Sequence, residues 1–70
     1  MANALYIHLS RAPYARGHDL DPERRIGFDA EGRPLGVELL NVRDGVNLSG
    51  LPQRHRIALL LDRLRIPAIA

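Results

Sequence analysis

Leu5, Ile7 and Leu9 alternate with Tyr6, His8 and Ser10. A period of two predicts a half-buried strand over residues 4–10. Arg11-Ala12-Pro13 ends it, because proline has no N–H to give a ladder. A weaker strand is predicted over 14–20, with Gly17 as the expected site of a bulge. Asp21-Pro22-Glu23-Arg24 predicts a type I turn, in which Asp21 caps the backbone and Pro22 presets φ. The third strand covers 24–29, with Ile26 and Phe28 on one face. Asp29-Ala30-Glu31-Gly32 is the clearest hairpin signal, since Gly32 accepts the positive φ that closes such a loop. The fourth strand covers 34–42, with Leu35, Val37 and Leu39 inward. Leu40 and Val42 fall on the opposite parity, which predicts either a bulge or cover on both faces. Arg43-Asp44-Gly45 reads as a turn before a short extra strand over 45–48.

From Ser49 the period changes. Ile57, Leu60, Leu61 and Leu64 recur at 0, 3, 4 and 7, one stripe of an amphipathic helix. The helix is expected over 51–65, with Ser49 or Leu51 as N-cap and Pro52 in the first turn. Arg63 and Arg65 near its end favour the negative pole of the dipole, and Pro67 stops it. The expected fold is α+β, a single domain over 1–70: an antiparallel sheet of four to five strands in hairpins, followed by one C-terminal amphipathic helix. One helix covers one sheet face. The other face, with Tyr6, His8, Leu40 and Val42, is the candidate partner or dimer face, and a homodimer is expected.

Composition narrows the chemistry. The chain has 70 residues and no cysteine, so disulfides, thiol nucleophiles and cysteine-based metal sites are excluded. Small secreted domains usually need such staples, so a cytoplasmic location is expected. The longest apolar run, Ile57-Ala58-Leu59-Leu60-Leu61, is far below a membrane span. Met1-Ala2-Asn3-Ala4 lacks the basic and apolar regions of a signal peptide. All ten basic residues are arginine, against eight acids. Residues 1–42 carry five arginines and six acids, and residues 43–70 carry five and two. The resulting −1 and +3 point to an anionic partner for the C-terminal part.

Ala4-Leu5-Tyr6-Ile7-His8-Leu9-Ser10 resembles the "aLYIrLs" opening of the YuzE-like family of small prokaryotic proteins, domain of unknown function 2283. The stretch Gly27 to Leu40 resembles that family's "vDlDedGrvvGIEil", with Asp29, Gly32, Gly36 and Glu38 in matching positions. The likeness covers residues 4–42. It departs in two places: family members carry more residues before the first strand, and the helical end from Leu51 is loosely patterned. The resemblance implies strands in hairpins and then a helix, and it implies no activity. Members lie near toxin-like genes, and the resemblance therefore implies an antitoxin-like, partner-binding role.

The remaining polar residues have structural readings. Asp29, Glu31 and Glu38 suit a hairpin corner, a loop tip and the polar side of a strand, and no enzyme activity is expected from them. His8, His18 and His55 are too few for a zinc site, although His8 and His18 would face each other across a five-residue first hairpin loop. Residues 19–23 lack the glycine and bidentate glutamate of a calcium loop. No metal or cofactor is expected. The glycines form no phosphate-binding pattern, and neither Ser10 nor Ser49 sits in a nucleophile elbow. Arg54, Arg56, Arg63 and Arg65 are candidate anion contacts, for nucleic-acid phosphates or an acidic protein. With no tryptophan and one phenylalanine, base stacking has little to use. The expected function is an interaction module that binds itself or a partner such as a toxin, through the open sheet face or the helix with its tail Ile66-Pro67-Ala68-Ile69-Ala70. The alternative is a weak nucleic-acid binder.

Overall fold

Two tight turns set three neighbouring strands of the sheet. The computed structural model describes residues 3–69. It contains β1 (Ala4–His8), β2 (Arg16–Asp21), β3 (Arg24–Phe28) and β4 (Pro34–Leu40). A 3-10 turn (Val42–Asp44), β5 (Val46–Asn47), α1 (Arg54–Arg63) and β6 (Ala68–Ile69) follow. Asp21 Oδ1 accepts the Glu23 N–H at 2.9 Å, which closes the β2–β3 turn. At the β3–β4 corner the Gly32 N–H donates to Asp29 O at 3.0 Å, with Gly32 at φ 80°. With β2, β3 and β4 joined as neighbours, β1 takes the free side of β4, and the antiparallel order is β1-β4-β3-β2. β1 and β2 are therefore opposite edges rather than a hairpin, so His8 and His18 do not face each other.

The inward residues follow the period-two pattern. Ile7, Ile26, Val37 and Leu39 enter the core from the sheet, Val42, Val46 and Leu51 from the connection, and Ile57 and Leu61 from α1. Each contributes about 1.5–3 kcal/mol on full burial. The bulge in β2 lies between Asp19 and Asp21, not at Gly17.

The end of β4 corrects an expectation. The strand stops at Leu40, and Asn41 adopts a left-handed conformation at φ 55°. This turns the chain into the 3-10 turn, so Val42 reverses side and is buried in the core. Val42 is therefore not part of the open face, and neither a bulge nor double cover explains its parity.

The helix is shorter than 51–65. Its N-cap is Gln53, left-handed and without a side-chain cap, and Pro52 lies in the turn before it. At the other end Ile66 N–H donates to Leu61 O and Arg65 N–H to Asp62 O, at 2.9 and 3.0 Å. Arg65 sits at φ 59°. This is a Schellman motif with arginine where glycine is usual. It ends the helix at Arg63, leaves Leu64 exposed, and makes Ile66 the apolar residue that packs back on the core. The tail then returns: Val46 pairs with Ala68 and Asn47 with Ile69 in parallel. The backbone of the expected partner-binding tail is thus largely taken up within the chain. Ala70 lies outside the described residues.

Candidate interaction surfaces

The uncovered face is built from three cross-strand rows. His8, Gly36, Gly27 and Gly17 form the first, and Tyr6, Glu38, Arg25 and Asp19 the second. Ala4 and Leu40 begin the third. The glycine row is covered by the chain's own aromatic rings. A Cβ on Gly36 would stand 2.5 Å from the Tyr6 hydroxyl and 2.6 Å from the Ile7 carbonyl oxygen. Tyr14 lies across Gly27, and its hydroxyl reaches Gly17. Tyr6 and His8 meet edge to face at 4.6 Å. The second row is charged. Arg25 Nη1 donates to Asp19 Oδ1 at 2.6 Å. Asp19 first, then Tyr14, hold the Arg25 guanidinium above its ordinary pKa. The candidate partner face is thus not continuous: charge crosses its middle, and exposed Tyr6, His8 and Leu40 line the β1–β4 side. The covering role of Tyr14 was not legible, because Arg11-Ala12-Pro13 reads only as a loop.

The two edges differ. Leu40 N–H donates to Glu23 O, so the even residues of β4 face β3 and its odd residues face β1. Leu9 N–H donates to Leu35 O at 2.7 Å, in agreement. In β1, residues 5 and 7 therefore bond inward, and Ala4, Tyr6 and His8 turn their N–H and C=O groups outward. The register of β1 runs unbroken from Ala4↔Leu40 to His8↔Gly36, and the strand holds no Asp, Glu, Arg or Pro. β2 holds Arg16, Asp19 and Asp21 and carries the bulge. Charge and bulge are what protect a sheet edge.

The arginines divide into two groups. Arg24 donates to Asp21 at 2.8 Å, to the carbonyl of Asn47 at 2.8 Å and to that of Ser49, which ties β3 to the segment around β5. Arg33 bonds Asp29 and Glu31, and Arg16 lies over the Phe28 ring. Asp29 is buried, and its Oδ1 accepts the N–H groups of Glu31 and Arg33. The Arg33 N–H first, then the Arg33 side chain, hold its carboxyl below the usual range. Arg24 first, then the Glu23 N–H, does the same for Asp21. Arg54, Arg56, Arg63 and Arg65 are exposed and form no ion pair among the described residues. They are not brought together. Arg56 lines a shallow cleft of about 240 Å³ with His8, Ser10 and Arg11, whereas Arg63 and Arg65 lie at the far end of α1. Among the described residues no cluster of His, Asp and Glu could hold a metal ion.

These features define a small α+β protein, a four-stranded antiparallel sheet backed by one helix, with one guarded and one bare edge. Residues 1–43 match the family described as Protein of unknown function (DUF2283), and the chain belongs to that family. The YuzE-like resemblance is compatible with this assignment. The match spans all four strands of the main sheet and ends before β5. Comparison with curated proteins and with solved structures gives no match. No helix is long and apolar enough to cross a membrane among the described residues.

Proposed function

We propose that the protein is a non-catalytic interaction module that works in the cytoplasm by pairing with another protein, in the first place a second copy of itself. The observation that carries this reading is the bare β1 edge, five residues without charge, bulge or proline. Exposed Tyr6 and Leu40 beside it add apolar area that stays wet in the monomer. An antitoxin-like role would use the same surface, with a strand of a toxin-like protein in place of the second copy. The nucleic-acid reading has less support, since Arg54, Arg56, Arg63 and Arg65 make no continuous track. Sedimentation equilibrium from tens to hundreds of micromolar tests the proposal. Mass rising from 7.8 kDa toward twice that value supports it, and a constant monomer mass throughout overturns self-association.

A further inference from the structure

We infer that the second copy docks on the β1 edge, antiparallel and about a two-fold axis through Tyr6, so that two four-stranded sheets join into one of eight strands. This rests on the self-association proposed above and names the surface that performs it. The outward groups of Ala4, Tyr6 and His8 are the reason. With Tyr6 opposite the partner's Tyr6, Ala4 stands opposite the partner's His8. All three become hydrogen-bonded pairs, each exchanging two bonds. No other symmetric register uses all three.

The side chains agree with this pairing. On the core face Leu5 falls opposite the partner's Ile7, extending an apolar layer of which Leu5 is now only a partly buried rim. On the open face the Tyr6 ring lies inward across Gly36, so it does not shield the outward backbone. No like charges meet, because β1 has no acid or arginine. A head-to-tail contact of β1 on β2 would leave a free edge at each end and grow as a filament. The charges and bulge of β2 oppose that, and β1 on β1 closes at two copies. Five paired residues make a small contact, in the class of interfaces below about 1,200 Å². The dimer is accordingly weak and concentration-dependent.

The absence of cysteine makes single-cysteine cross-linking clean. Opposed Cα atoms in a hydrogen-bonded pair lie about 5.5 Å apart, within disulfide reach. Mixed Ala4→Cys and His8→Cys chains, which keep Tyr6, should cross-link under mild oxidation at least tenfold faster than either chain alone. Tyr6→Cys should cross-link to itself, and Asp19→Cys on β2 should not. His8→Pro removes an outward donor without touching the β1–β4 ladder, so it should keep the wild-type circular dichroism and lose the dimer. If the wild type dimerises while His8→Pro still does, or while Asp19→Cys cross-links as fast as Tyr6→Cys, the β1 pairing is wrong and self-association stands on another surface. If the wild type is monomeric at every concentration, both fail.

Discussion

The sheet ends in two strands of similar length and opposite character. β2 is polar, charged and bulged, and Tyr14 with the Asp19–Arg25 ion pair crowds its open side. β1 is neutral and regular, and its one large exposed ring leans inward over Gly36. Both pair on one side only, so both face the same hazard of unwanted strand addition. If β1 pairs with a second copy as proposed, one guarded edge is enough to avoid open-ended growth, because β1 on β1 closes at two copies. Guarding is costly in composition: β2 places no fully buried residue in the core, whereas β1 places Ile7 there.

The two edges can be told apart by perturbation. The largest effect is expected at Val37 on β4, which is 0% exposed and supports β1 and β3 alike. Val37→Ala should lower unfolding stability by about 2–4 kcal/mol, read as a shift in urea midpoint. A similar order is expected for His18→Pro. His18 opposes Ile26, whose backbone bonds face β2, so proline there removes a ladder bond at a cost of about 1–3 kcal/mol. His8→Pro, its counterpart on the bare edge, should change the same midpoint little. Equal losses would mean that the outward assignment of His8 is wrong.

The glycine row gives a second contrast. Gly36→Ala forces a methyl against the Ile7 carbonyl as well as Tyr6, and should cost about 1–3 kcal/mol. Gly17→Ala meets only the ends of the Tyr14 and Arg25 side chains, which can swing away. It should cost less than Gly36→Ala in the same titration.

Acid should affect the β2–β3 and β3–β4 turns first. In the unfolded chain Asp21 and Asp29 titrate near about 3.9, and in the folded chain both are lowered. The folded state therefore binds fewer protons in this range. The stabilisation is complete above about pH 5 and is lost as pH falls through the lowered folded values. Hydrogen exchange between pH 5 and 2.5, corrected for intrinsic rate, should show protection falling at the two turns before it falls in β1. Asp29→Asn should flatten that dependence. The smallest effect is expected at Arg65→Gly, which relieves a left-handed arginine and should raise stability by about 0.5–1 kcal/mol with no change at either edge.

The strands themselves were legible because alternation is a local property. Leu35, Val37 and Leu39 point inward as their spacing requires, and Asp29 and Gly32 make the corner their chemistry suggests. Pairing order was not legible. The Arg11–Pro13 break reads as a hairpin loop, yet β1 pairs with β4 and not with β2, and alternation within a strand carries no information about which strand lies beside it. Parity failed at Val42 because one left-handed asparagine reverses the chain, and no alternation rule anticipates that. The helix stripe held at Ile57 and Leu61 and failed at Leu64, where a Schellman motif closed on arginine hands the apolar role to Ile66. The exposure of Tyr6, His8 and Leu40 on the open face follows from their parity. The contrast of edges was hidden, since which strands are edges is a fact of topology.

Arg24 has a consequence for how such a chain tolerates change. Its guanidinium sits within the stretch that matches the family, and two of its acceptors lie beyond it, at residues 47 and 49. Both acceptors are main-chain oxygens. Side chains at those two positions can be exchanged without removing what Arg24 holds, so at residues 47 and 49 the mooring constrains the path of the backbone and not the residue type, while Val46, Leu51, Ile57 and Leu61 of the same segment stay tied to the core.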